Sequence, residues 1–190
     1  APTDVILGNH DMNLQQMEQG DAISPILNLA NLIQDENKKV AYIVTNENKD
    51  SIDFGKNAIY YYPDSGYYKL SDDLIYGVYS MKDNQILRLE KKAPGINYVA
   101  LFHGQVFGAR GDNGHTLNSD NLIKISTFDN FDIVMMGDIH EYQTFREDES
   151  MAYCGSLIQQ NFGEAIDNGY LLWDVWDGKT FNLAKLFVGS

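Results

Sequence analysis

The sequence predicts an α/β domain whose C-terminal portion is β-rich. Three observations carry that expectation. Short apolar runs at residues 5–7, 97–102 and 133–136 each lead into a polar, glycine-containing turn, as buried strands do. Residues 22–36 carry apolar side chains at helical spacing. From residue 143 to 187 the pattern changes to short strand-like runs broken by Gly, Asn and Asp, as in antiparallel hairpins.

Taken in order, Val5-Ile6-Leu7 reads as a buried strand closed by Gly8-Asn9. The helix over 22–36 places Ile23, Ile26, Leu27, Ala30 and Ile33 on one stripe. Ser24-Pro25 suits its first turn, where the N–H that proline lacks would have no partner anyway. Residues 40–45 are rich in β-branched side chains and predict a second strand. Residues 52–63 and 66–70 combine tyrosines with turn residues and predict a strand or hairpin, their tyrosines half-buried. Ser71-Asp72-Asp73 has the chemistry to cap a short helix running through Tyr79. Residues 97–102 form another buried strand, 104–119 a long loop with four glycines, and 122–128 a short helix before the strand 133–136. The chain shows no internal repeat, low-complexity tract or linker, so residues 1–190 are expected to be a single domain.

Composition narrows the function classes. Of 190 residues, 14 are basic and 27 acidic, a formal charge of −13, which argues against a broad basic face gripping phosphates. The same carboxylate excess suits a site for divalent cations, although acidity also serves solubility. The single cysteine, Cys154, permits no intrachain disulfide, and a reducing compartment is expected: the cytoplasm, or the host cytoplasm for a viral protein. No apolar run approaches the roughly 20 residues of a membrane-spanning helix, and no membrane partner is expected.

Three clusters of chemistry-bearing residues share one placement, just after a buried apolar strand, where α/β folds gather ligand-binding groups. In Gly8-Asn9-His10-Asp11, the asparagine oxygen can ligate a metal and the histidine can place a proton or charge on a phosphoryl oxygen. A Gly-Asn turn beside a polar histidine is the plain alternative. His103, at the end of its strand, can offer one imidazole nitrogen to a metal while the other is oriented by a neighbouring acceptor, or can simply be a hydrogen-bonded rim residue. In Gly137-Asp138-Ile139-His140, alternation sends Asp138 and His140 to the same side, where a carboxylate and an imidazole can converge; a solvated turn is the alternative. Three of only four histidines stand at strand ends, and the fourth, His115, reads as a surface residue.

In that order the clusters resemble the later motifs of the calcineurin-like metallophosphoesterases. The stretch Tyr153-Cys154-Gly155-Ser156-Leu157-Ile158-Gln159-Gln160-Asn161-Phe162-Gly163-Glu164, with the apolar run 169–175 behind it, is similar to DNA-repair nucleases of the SbcD type, especially phage-like members. The resemblance covers nearly the whole chain, most weakly over 60–92. It implies a sandwich of mixed sheets flanked by helices and a centre of two divalent metal ions, typically Mn2+ in the nuclease branch, with Mg2+, Zn2+ or Fe2+ as alternatives. Carried over residue by residue, Asn9 and His103 hold one metal, with Asp138 where the family usually has a histidine. His140 contributes to the other metal, His10 aids the transition state or leaving group, and Asp11 orients His10. The implied substrate is DNA, cut as an exonuclease or endonuclease of recombination and repair, with an SMC-like ATPase subunit as partner.

The family's first two motifs, Asp-x-His and Gly-Asp with its metal-bridging carboxylate, have no counterpart before Gly8, and its DNA-capping region has none after the core. The chain thus looks like the later part of a catalytic domain, and this fragment alone is expected to be weakly active or inactive. A general metallophosphoesterase and a noncatalytic interaction module retaining the fold are the rival readings. Strands 5–7 and 133–136 are expected to lie open where the missing strands would sit, which favours a homodimer or strand-exchanged assembly. Cys154 reads as a small buried residue, Gln159-Gln160-Asn161 as a polar loop, and Trp173 and Trp176 as packing or strand-edge residues.

Overall fold

The computed structural model describes residues 2–12, 20–33, 39–158, 169–176 and 180–187. Three sheets organise them. Strands β1 (Thr3–Ile6), β2 (Ala41–Ile43) and β3 (Ile59–Tyr62) form a parallel three-stranded sheet in the order β1-β3-β2. Strands β4 (Gly66–Ser71), β5 (Leu74–Tyr79), β6 (Asn97–His103), β7 (Ile133–Gly137), β8 (Gln143–Thr144) and β9 (Met151–Tyr153) form a six-stranded mixed sheet in the order β4-β5-β6-β7-β9-β8. Its middle is parallel, from β5 through β6 and β7 to β9, and both outer strands run antiparallel to their neighbours. Strands β10 (Gly169–Trp176) and β11 (Thr180–Phe187) make a separate antiparallel pair. With one α-helix among the described residues, α1 (Ile23–Ile33), this is a β-rich α/β fold with mixed sheets.

Period-two alternation builds the layers. Tyr60 and Tyr62 project from β3 toward Val99 and Leu101 of β6, and Val44, Tyr68, Val78 and Ile133 complete this core between the two sheets. Tyr61, between those tyrosines in sequence, faces the opposite way and packs with Leu7, Met12, Leu27 and Ala41 beneath α1. On β6 the other parity, Tyr98, Ala100 and Phe102, builds a third core with Val106, Phe128, Phe131 and Met136. That core is roofed by the segment after β6, including the short 3-10 turn Ile125–Phe128. The layers are therefore helix, three-stranded sheet, six-stranded sheet and a covering loop. Val134 and Met136 of β7 pack into the third core while Ile133 packs into the inter-sheet core, as expected of a strand buried on both faces.

Several expectations are corrected. The tyrosine-rich segments do not pair with one another: β3 belongs to one sheet and β4 to the other. Tyr60, Tyr61 and Tyr62 are fully buried rather than half-buried, since cores lie on both sides of β3. Ser71-Asp72-Asp73 caps no helix. It turns the chain between β4 and β5, and Leu74–Tyr79 pairs with β4 on one side and β6 on the other. Tertiary pairing there overrides the local capping signal. The helix expected over 122–128 is only the 3-10 turn at its end. In α1, Leu27 is buried, but Ile26 lies 64% exposed, outside the packed stripe. Strand 133–136 is not open: β7 lies between β6 and β9, and Ile133 and Val134 have no exposed surface. β1 does stand at the edge of its sheet.

Cys154, expected to be buried, is half-buried just after β9 with its Sγ 3.2 Å from the Gly155 carbonyl oxygen, and Trp173 donates from Nε1 to the Glu149 carbonyl at 3.3 Å. The expectations for 34–36, for Gln159-Gln160-Asn161, for the rest of the motif through Glu164 and for the Trp176 side chain lie outside the described residues. Among the described residues no helix is long and apolar enough to cross a membrane.

Candidate metal centre

Parallel register places the site. His103 is the last residue of β6 and lies directly opposite Gly137, the last of β7, so Asp138 emerges beside it. The Gly104 amide donates to the Gly137 carbonyl at 3.1 Å and ties the two strand ends together. β1 of the other sheet ends at the same rim and delivers Asn9 through the turn at Gly8. Asn9 Nδ2 donates to Asp138 Oδ1 at 2.9 Å, while Asn9 Oδ1 stands 3.3 Å from His103 Nε2. His103 Nε2 is 3.7 Å from Asp138 Oδ1, closing the triangle. Residues 94 and 129 positions apart in the chain thus meet at one point.

Two glycines make this contact possible. A β-carbon on Gly137 would stand 2.9 Å from His103 Nδ1, and one on Gly8 would stand 3.2 Å from both His103 Cε1 and Asp11 Oδ2. The imidazole is therefore held between two stretches of bare backbone. Asp138 itself adopts φ 101°, a conformation rare for a side-chain-bearing residue and associated with functional sites. Burial pushes the His103 imidazole below its ordinary pKa; Asp138 and Asp11 oppose that push, and His10 adds to it. The neutral ring, the form that ligates metals, is favoured.

The remaining expected site residues divide. Asp11 accepts a hydrogen bond from the Gly8 amide at 2.9 Å, which fastens the turn carrying Asn9. His10 is exposed beside it. His140 faces the glycine-rich loop: its backbone amide donates to Asp112 Oδ1 at 2.9 Å and its Nδ1 lies 3.6 Å from Asp112 Oδ2. Arg110 and Glu141 form an ion pair alongside. The structure therefore brings Asn9, His103 and Asp138 into direct contact and gives His140 a carboxylate partner of its own. Sequence reasoning missed Asp112, which sits in an aperiodic loop with no strand or motif to point at it. The expected surface residue His115 is exposed.

An amide oxygen, an imidazole nitrogen and a carboxylate oxygen are all ligands for borderline divalent ions. Donors held at about 2.0–2.2 Å from one ion stand roughly 3–3.5 Å apart; Asn9 Oδ1 and Asp138 Oδ1 stand 3.3 and 3.7 Å from His103 Nε2, and the Asn9 amide, which turns its Nδ2 to Asp138, keeps its Oδ1 for the ion. The residues fit. Among the described residues no group of three His, Cys, Asp or Glu side chains could hold a metal, so the asparagine is needed as the third donor.

No family model matches the chain. An uncharacterized protein of Acanthamoeba polyphaga mimivirus is 31% identical over 185 residues, an alignment covering 92% of this chain. The chain spans 12% of that protein's length.

Proposed function

We propose that this chain carries part of the metal centre of a calcineurin-like metallophosphoesterase, acting on phosphodiesters and, in its full context, on DNA. The convergence of Asn9, His103 and Asp138 from three separate strand ends is the observation that carries the reading. Asn9, His103 and Asp138 would hold one divalent ion, Mn2+ or a similar cation, and His140, set by Asp112, would serve a second. Two such ions supply charge neutralisation at the phosphoryl group and a hydroxide-like nucleophile.

The chain's own residues perform the rest. Gly8 and Gly137 leave room for the His103 ring, whose Nε2 faces Asn9 and Asp138. Asp11 secures the Gly8 turn and with it Asn9. His10, exposed beside Asp11, would give a proton to a departing oxygen. The acidic composition requires bound cations to make the rim attractive to a polyanion. An SMC-like ATPase as partner and a cytoplasmic setting remain part of this proposal.

Calorimetric titration of the 190-residue chain with Mn2+ tests it, beside hydrolysis of bis(4-nitrophenyl) phosphate and of linear DNA. One weak site is expected, abolished by His103→Ala and by Asp138→Asn and retained in His115→Ala. Binding indifferent to the first two substitutions would refute the assignment. A noncatalytic module is the second reading, favoured by the reliance on an amide as third donor. Metal binding without hydrolysis, both here and in a chain extended upstream, would select it.

A further inference from the structure

Beyond the cluster, His103 also lines a cavity of about 310 Å3, at the small end of the roughly 300–1,000 Å3 typical of ligand sites. Its lining includes the apolar and aromatic residues Tyr79 and Phe102, at the ends of β5 and β6, with Ile86, Leu122 and Ile123. Four residues with side-chain amides, Asn84, Gln85, Gln105 and Asn121, also line it. Among the described residues none of these four amides makes a side-chain hydrogen bond, and all four residues are exposed. Among the described residues no Asp, Glu, Lys or Arg lines the cavity, although the chain carries 41 such residues, 14 basic and 27 acidic.

The walls are anchored rather than loose. Tyr79 donates its hydroxyl to the Leu87 carbonyl at 2.9 Å, which fixes the segment bearing Asn84, Gln85 and Ile86. The Phe107 amide donates to the Ile123 carbonyl at 2.8 Å, and Tyr153 donates to the Gly104 carbonyl at 2.7 Å, which fix the opposite side.

We propose that this cavity is a nucleobase subsite, seating an unpaired base of the nucleotide whose phosphate lies at the Asn9–His103–Asp138 cluster. The inference rests on the phosphodiesterase reading and adds to it the recognition of an unpaired base beside the cluster. An uncharged, flat heterocycle matches an uncharged slot with apolar faces, and free Asn and Gln amides present paired donors and acceptors to a base edge. A phosphate or sugar-phosphate group finds no cation among the described lining residues and belongs at the metal cluster. An adjoining groove of about 470 Å3 shares Ile86, Leu122 and Ile123 and adds Arg88 and Lys124, but Glu90 and Asp129 balance them. That groove offers continuation of a strand rather than the anchor point.

The test uses the uniformly 15N-labelled 190-residue chain titrated with adenosine, thymidine and ribose, without metal. Both nucleosides should shift the amides of residues 84–86, 104–105 and 121–123, and ribose should not. Gln105→Ala and Asn121→Ala, substitutions of exposed side chains, should weaken the response about tenfold, and the same spectra report whether each variant is folded. A second arm compares Mn2+-dependent cleavage of the 4-nitrophenyl ester of thymidine 5′-phosphate with that of methyl 4-nitrophenyl phosphate. Preference for the nucleoside ester should fall toward parity in Gln105→Ala. Nucleoside shifts that are absent, or that map away from the cavity, overturn the subsite even if Mn2+ binds at His103. Nucleoside shifts at the cavity in a chain that binds no Mn2+ would uphold base recognition and refute the metal centre instead.

Discussion

His103 works because nothing crowds it. The space its ring occupies exists only while positions 8 and 137 lack a β-carbon, so Gly137→Ala puts a methyl group where contact would be 2.9 Å from Nδ1. The ring must then turn away from Asn9 and Asp138. Mn2+ affinity in this variant should fall by roughly tenfold or more, as when other orienting contacts around ligands are lost. Titration calorimetry on the variant checks this, and unchanged affinity would show that the ring has room to spare. Asp138 gives a complementary case. Glycine adopts its φ of 101° without strain, so Asp138→Gly should leave thermal stability within about 1 kcal/mol while removing Mn2+ binding. Asn9, His103 and Asp138 were legible in the sequence because each follows an apolar run that can only be a buried strand, and strand ends in α/β folds share a rim. Asp112 was not legible, since loop geometry alone brings it to His140.

At the scale of elements, α1 shows how a correct segment can be read for an incomplete reason. Ser24-Pro25 marks the first turn, but the cap is Asp21, whose Oδ1 accepts from the Ile23 amide at 2.9 Å and the Ser24 amide at 2.6 Å. Burial works against the ionised carboxylate, yet hydrogen bonding from Ser24, the Tyr61 hydroxyl and the Ile23 amide outweighs it and holds the Asp21 pKa below its ordinary value. Asp21→Ala should cost about 1 kcal/mol of stability at neutral pH, measured by urea denaturation. A depressed folded-state pKa gives stability that is present above the unfolded value near 3.8 and lost as pH falls through the folded one. The variant's deficit should therefore shrink on acidification below about pH 4. A deficit constant down to pH 2 would mean that the cap's contribution does not depend on charge. The segment through Tyr79 failed for the opposite reason. Its Asp-Asp start offers a helix cap, but a strand wedged between β4 and β6 gains two ladders of hydrogen bonds that no local propensity can match.

At the scale of the whole molecule, the layer order explains why the alternating tyrosines could not be placed from sequence. A strand with cores on both faces shows no polar side, and only the assembled sheets reveal which tyrosine faces which layer. The same assembly concentrates a charge of −13 on a chain whose candidate site is itself built for a cation. Self-repulsion of that size predicts a melting temperature that rises with NaCl, because screening relieves every carboxylate pair alike. Mn2+ should do more than screen. A ligand bound only by the folded state, at a hundredfold excess over its Kd, adds about 2.7 kcal/mol. For a chain of this length that corresponds to a shift of roughly 5–11 °C. Melting curves in MnCl2 and NaCl at matched ionic strength should therefore diverge for the wild-type chain. In His103→Ala they should coincide, since the variant keeps the net charge and loses the ring that faces the cluster. Superimposable curves for the wild type would mean that the acidic surface responds to cations only as a diffuse charge, and that the meeting of Asn9, His103 and Asp138 serves the fold rather than a metal.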